Sequence, residues 1–217
     1  MATDEISVFG GTGFVGSRFC SISTRKCLKI AREERTPATK EILYFISTNH
    51  NYHVFDNLKI DIETNLLTLM EVLDQMKSNG GIINFISSCF VYGNTKLPAK
   101  ENSLCQPKGF YSITKYAAEQ MLISYCRTFD INYRILRLCN VYGEGDKSVS
   151  EKRNALQYLI GQLRQNRDVN LYFDGRFYRD YMHVDDICLA IDLCINKAPI
   201  DCIINIGSGK KTLFRDL

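Results

Sequence analysis

Ile6-Ser-Val-Phe9 running into Gly10-Gly-Thr-Gly-Phe-Val-Gly16 is the stretch whose reading decides the fold. A short apolar strand, a glycine cluster and then helix-forming sequence is the context in which such a motif binds a dinucleotide. Without Cβ atoms the turn can be tight and its backbone can approach a pyrophosphate. The helix that follows offers free N–H groups and a positive dipole end to the phosphates. Gly11, Gly13 and Gly16 fit the general dinucleotide spacing, and Gly10, Gly13 and Gly16 fit a wider variant. With Thr12, Phe14 and Val15 between them, these residues are the candidate cofactor cradle. The competing reading is a glycine-rich turn that holds no ligand.

Working outward, Cys27-Leu-Lys-Ile-Ala31 is the next strand candidate. A fold of this kind that selects NAD places an acidic residue about 20 positions past the first glycine, where it accepts from the ribose 2′-hydroxyl. Ala31 falls there, with Arg32 next, and an arginine suits a 2′-phosphate. NADP is therefore expected rather than NAD, although Glu33-Glu34 could reach the ribose after a small shift in register. Glu41 to Ser47 reads as a buried strand with a polar exit. The interval from Arg32 is too short for another strand and helix, so the sheet should be abbreviated here.

Residues 56–77 are helical by period, with Leu58, Ile62, Leu66, Leu69, Met70 and Leu73 as an apolar stripe. Asn65 interrupts the stripe, and a buried amide needs partners. It is either a structural pin or a water-holding group beside the site. Ile82 to Ile86 is the clearest central strand, and Ser87-Ser88 stand at its carboxyl end, where open α/β sheets bind ligands. Helix 111–129 and strand 133–139 follow, then Asn140-Val-Tyr-Gly143, a helix over about 149–167, a helix ending near Asn196, and a last strand at Ile203–Ile206. Strands alternating with helices predict an α/β fold with a mostly parallel, doubly wound sheet.

Gly109-Phe-Tyr-Ser-Ile-Thr-Lys115 supplies the chemistry. Tyr111 and Lys115 are four apart, on one face of a helix. A nearby cation favours the phenolate, which makes Tyr111 a candidate acid and base for a carbonyl and alcohol pair. Tyr92 and Lys96 share the spacing, but Gly93, Asn94 and Pro98 make that segment a turn. Around Tyr111, Ile113, Ala117 and Met121 recur at helical spacing.

Composition narrows the rest. A chain of 217 residues, 45% hydrophobic, can bury a sizeable core. The net charge of +3 and the short basic clusters Arg25-Lys26, Lys152-Arg153 and Lys210-Lys211 give no reason to expect nucleic-acid binding. Nine cysteines without a Cys-x-x-Cys pair, and three histidines, point to a reducing compartment and to no metal site. Thr3-Asp4-Glu5 is not the start of a signal peptide, and no apolar run reaches membrane-spanning length. A cytoplasmic protein is expected.

Taken together, Gly10–Gly16, Ser87-Ser-Cys-Phe-Val-Tyr-Gly93, Tyr111-Ser-Ile-Thr-Lys115, Arg137-Leu-Cys-Asn-Val-Tyr-Gly143, Arg179-Asp-Tyr-Met-His-Val-Asp-Asp186 and Asn205-Ile-Gly207 resemble the extended short-chain dehydrogenase/reductases. These are NAD(P)-dependent nucleotide-sugar epimerases, dehydratases and reductases built on a Rossmann-type sheet. The resemblance implies that Ser88 orients the sugar oxygen, Tyr111 exchanges its proton, and Lys115 lowers the Tyr111 pKa while holding the nicotinamide ribose. It makes Asn65 the family's helix asparagine, at the cofactor. It turns Asn140 and Arg179 towards the diphosphate of a nucleotide-sugar substrate. Against this, Arg179 and Asp180 could be only a mutual surface pair, and His183 reads as a structural hydrogen-bonder.

The implied division is a dinucleotide-binding domain over 1–143 and a small, incomplete substrate region over 144–217, of which 180–206 packs back on the core. Helices 56–77 and 111–129 are the candidate homodimer faces. Three departures from the family matter: Cys89 and Phe90 stand where its dehydratases carry an acidic pair, the second and third strand region is short, and relatives continue past Leu217. The expected activity is a 4-epimerase or 4-keto-reductase. The alternatives are a 4,6-dehydratase and a non-catalytic NAD(P)-binding regulatory protein.

Overall fold

The computed structural model describes residues 4–49, 53–57, 59–146 and 155–217. Six parallel strands form the central sheet in the order β2-β1-β3-β4-β5-β9. β1 (Glu5–Phe9) leads through the glycine turn into α1 (Phe14–Ile22), and β2 (Lys26–Lys29) returns beside β1 at the sheet edge. β3 (Glu41–Tyr44) then pairs with the other side of β1. The strand order therefore reverses between β1 and β3, and a reversal of this kind opens a ligand crevice at the carboxyl ends of the strands.

The crossover from β2 to β3, residues 30–40, contains no helix, in keeping with an abbreviated sheet. It is fastened to the middle of β1, where the Thr39 N–H donates to Ser7 Oγ at 2.9 Å. Two short helical pieces, α2 (His53–Asp56) and α3 (Ile60–Ile62), precede a π-helical turn over Glu63–Leu67 and then α4 (Thr68–Met76). The expected single helix over 56–77 is thus broken, and Leu58 lies outside the described residues. The π turn inserts an extra residue and rotates the face. Leu69, Val72, Leu73 and Met76 are buried, Asp61 and Asn65 are buried before them, and Ile62 is left partly exposed.

β4 (Ile82–Ser88) and α5 (Phe110–Thr128) carry the central site, and β5 (Asn132–Leu138) and the short β6 (Asn140–Tyr142) follow. In α5 the buried face is Thr114, Lys115, Ala118, Glu119, Leu122 and Cys126. Ile113 and Met121, whose spacing marked the helix in the sequence, point outward instead. α6 (Ala155–Leu163) ends short of the expected Arg167, and the predicted start over 149–154 lies outside the described residues. β7 (Tyr178–Arg179), β8 (Tyr181–His183) and α7 (Val184–Lys197) precede β9 (Cys202–Ile206), which joins the main sheet beside β5. A further strand, β10 (Thr212–Leu213), pairs with β7 beyond what the sequence suggested.

The doubly wound architecture follows from alternation along the strands. Phe9, Ile42, Tyr44, Ile83, Phe85 and Ile135 face α4 and α5, while Ile6, Val8, Leu43, Ile86 and Leu136 face α1 and α7. Among the described residues no helix is long and apolar enough to cross a membrane.

Candidate active site

At the β1 end the glycine turn is closed by the Gly13 N–H donating to the Gly10 carbonyl at 3.0 Å. Gly10 has a φ of +74°, and a Cβ on Gly16 would stand 2.4 Å from the Gly10 oxygen. Only glycine permits this closure. α1 then begins with no acidic residue in its first turn and no side-chain cap. Its own first turn therefore sets no carboxylate against the first N–H groups and the dipole end, which suits a phosphate. The residues fit a dinucleotide.

Lys29 and Arg32 are both exposed at the carboxyl end of β2. The Lys29 stem lies against the turn, its Cγ 3.1 Å from where a Cβ would sit on Gly11. The sequence reading named Arg32 alone; the β1–β2 register is what brings Lys29 to the turn. Glu34 is engaged locally: its carboxylate accepts from the N–H groups of Thr36 and Arg35, which lower its pKa.

Tyr111 opens α5, and Ser88 closes β4. The phenol is in hydrogen-bond contact with Ser88 and with Ser47, a residue the sequence reading passed over as a polar strand exit. Burial pushes Tyr111 up to about 12 despite the pull of those hydroxyls, with Cys89 and Asp61 adding to the rise. Lys115 is 2% exposed, and its Nζ donates to the Ile86 carbonyl at 2.7 Å while lying 4.1 Å from the centre of the Phe85 ring. Burial drives it down to about 7, opposed by Glu119. The expected depression of Tyr111 by Lys115 is therefore not what this geometry produces. Desolvation outweighs it, and the ammonium is held by the strand beneath.

Beyond Ser88, Phe90 meets the Tyr111 ring edge-on at 6.4 Å. The Cys89 thiol is pushed up to about 11 by burial.

Asn65 sits in the π turn and is 2% exposed. Its Oδ1 accepts from the Thr48 N–H at 2.8 Å and from Ser47 Oγ at 3.1 Å. Its Nδ2 donates to Thr48 Oγ1 at 2.8 Å and to Thr114 Oγ1 at 2.9 Å. Both donors and both acceptor sites of the amide are thus filled by the protein. This is the geometry of a pin, tying the end of β3 to the turn of α5 between Tyr111 and Lys115. Thr48 also donates to buried Asp61, whose Oδ2 has no hydrogen-bond partner among the described residues. Sequence spacing could not have shown either contact.

Under the site, Arg137 of β5 holds Glu119 of α5 through Nε at 3.0 Å and Nη2 at 2.6 Å. Ser87 donates to the same carboxylate. Asn140 donates through Nδ2 to the Asp180 carbonyl at 3.0 Å, joining β6 to β8. The suggested Arg179–Asp180 pair gives way to separate contacts. Arg179 lies 4.9 Å from the Phe177 ring centre, and the Asp180 carboxylate takes the Ser208 hydroxyl at 2.6 Å and the Gly209 N–H at 2.9 Å. His183 caps α7 by accepting the Asp185 N–H at 3.3 Å.

A doubly wound sheet with a glycine turn at its switch point, and a serine and tyrosine meeting beyond its central strand, defines a dinucleotide-dependent class of protein. The chain belongs to the NAD dependent epimerase/dehydratase family, whose model matches residues 29–207. A Methanocaldococcus jannaschii protein provisionally named UDP-glucose 4-epimerase is 31% identical over 75% of this chain and 53% of its own. A dTDP-glucose 4,6-dehydratase of Streptomyces antibioticus is 28% identical over 82% of this chain and 52% of its own. The chain thus spans about half the length of these curated relatives. Among solved structures, the Thermotoga maritima UDP-glucose 4-epimerase with UDP-glucose superposes with a TM-score of 0.83 at 23% identity, over 96% of this chain and 78% of that one, which shows the shared fold.

Proposed function

We propose that this chain performs hydride-transfer chemistry at a sugar carbon of a nucleotide sugar, as a 4-epimerase or 4-keto-reductase using NADP. The observation that carries the reading is the Tyr111 phenol in contact with the Ser88 hydroxyl at the carboxyl end of β4. Ser88 orients the sugar oxygen, Tyr111 exchanges its proton, and Lys115 holds the ribose edge of the site. The nicotinamide, when bound, supplies the hydride donor or acceptor. Asn65 acts as a positioning residue, while Asn140 and Arg179 are the candidate diphosphate contacts. A phenol pushed up to about 12 is neutral near pH 7. It can therefore protonate a ketone oxygen in the reducing half of either reaction.

Lys29 and Arg32 support NADP over NAD, since a 2′-phosphate would meet two cations at the end of β2. Fluorescence titration should show NADPH binding more tightly than NADH, and Lys29→Ala with Arg32→Ala should erase the difference. Equal or tighter NADH binding by the wild type would overturn the preference. We also infer a homodimer through the outer faces of α4 and α5. The nine free cysteines suit a reducing compartment such as the cytoplasm.

Dehydration is the second reading, favoured by the names of several relatives. Loss of water from C5–C6 needs a further acid and base. Cys89, pushed up to about 11, is a poor acid for that task, and Phe90 has no proton to give. Offering nucleotide-diphosphoglucose and 4-keto nucleotide sugars with NADPH separates the readings by product mass. An isomer of unchanged mass or a reduced ketone is expected. A product lighter by one water would install the dehydratase instead.

A further inference from the structure

Beneath the glycine turn lies a pair of thiols that the Tyr111 site does not use. Cys27 of β2 stands in register with Ile6 of β1. Register neighbours point to the same face of a sheet. Ile6 belongs to the apolar cluster covered by α1 and α7, and both Cys20 and Cys27 pack against that cluster. Cys20, near the end of α1, directs its Sγ under the turn, 3.4 Å from where a Cβ would stand on Gly11. Helix and edge strand so bring the two thiols to the same face beneath the turn, close enough for each to shift the other's titration. Both side chains are half-buried, whereas Cys126 and Cys188 are fully buried.

We propose that Cys20 and Cys27 are an oxidisable dithiol, which hydrogen peroxide converts to a disulfide joining α1 to β2. Cys27 supplies the attacking thiolate. The Cys20 thiol is the largest influence lowering its pKa, burial opposes it, and Ser23 and the Arg25 guanidinium assist. Attack forms an S–O bond and breaks the O–O bond, leaving Cys27 as sulfenic acid while the released hydroxide takes a proton to become water. The Cys20 sulfur then attacks the Cys27 sulfur. The S–S bond forms, the S–O bond breaks, and the hydroxyl leaves with the Cys20 proton as a second water. Both sulfurs are oxidised and both peroxide oxygens are reduced.

The test is to treat the reduced chain with stoichiometric hydrogen peroxide, block remaining thiols with iodoacetamide, and map the peptides by mass. A Cys20–Cys27 cross-link should appear first, with loss of two alkylatable thiols that dithiothreitol restores. Cys20→Ser should stop at a sulfenic acid on Cys27 that dimedone traps, and Cys27→Ser should leave Cys20 alkylated. Circular dichroism of both variants checks that they fold. Cys20 and Cys27 remaining alkylated while Cys89, Cys139 or Cys202 oxidise would overturn the proposal, as would dimedone labelling of Cys20 in place of Cys27.

Discussion

Tyr111 and Lys115 are pushed by burial in opposite senses, the phenol up to about 12 and the ammonium down to about 7, and each shift has a measurable consequence. An unfolded chain keeps the Lys115 proton until about pH 10.5, whereas the folded chain releases it near pH 7. Across that window the unfolded state binds more protons, so stability rises with pH from about 7 to about 10.5 and is lost as the pH falls back. Denaturant titrations of Lys115→Met should lack this rise, and a variant with the same slope as the wild type would exclude Lys115 as its source. Tyr111→Phe keeps the ring and removes the proton, so turnover should fall by a factor of about 100 or more while NADPH binding survives. Wild-type turnover in that variant would remove Tyr111 from the chemistry. That Tyr111 and Lys115 share one helix, and that Ser88 ends the central strand, was legible from helical spacing and from the apolar run before Ser88. Ser47, Thr48, Asp61 and Lys29 were not, because each enters through a partner distant in sequence.

The elements around the site show where local pattern suffices and where it fails. The β1 turn was legible in the sequence, since Gly10 and Gly16 answer a backbone demand that no other residue type meets. Gly16→Ala would put a methyl 2.4 Å from the Gly10 oxygen, so the turn must open. The expected result is a destabilised chain that no longer retains NADPH, and unchanged nucleotide affinity would show that the turn does not hold the phosphates. The helix of residues 56–77 was misjudged because a π turn carries no signature in hydrophobic period, and Asn65 of that turn is tied to Thr48 and Thr114. α5 misled in another way: its visible apolar repeat faces outward, while its inner face mixes polar groups with Ala118, Leu122 and Cys126. Two of the polar groups, Glu119 and Lys115, are partnered by β5 and β4. Glu119→Ala leaves Arg137 charged and buried, which costs about 3–5 kcal/mol for such pairs. Chemical denaturation reads this directly, and a loss below about 1 kcal/mol would place the pair among exposed bridges.

At the scale of the molecule, strand and helix alternation foretold the doubly wound sheet, but not that β2 forms its open edge, because strand order is set by pairing between distant segments. The same whole-molecule view gives the outward α5 repeat a use. Met121 and Ile113 are 40% and 49% exposed, and Leu67 beside α4 is 52% exposed. Met70 of α4 and Met121, Tyr125 and Phe129 at the α5 end line a shallow groove between the two helices. Apolar surface gathered on two neighbouring helices costs solubility unless it is covered. A second copy meeting the same faces across a two-fold axis covers it with one self-complementary contact. A stable dimer of this kind needs about 1,200–2,000 Å² of buried surface, to which the 19-residue α5 and the nine-residue α4 of each subunit would contribute. Sedimentation should therefore show a dimer. Met121→Glu, which places two carboxylates near the axis, should shift it to monomer with the far-ultraviolet circular dichroism unchanged. A wild-type chain that sediments as a monomer at every concentration, or a Met121→Glu dimer as tight as the wild type, would leave those helices without this partner.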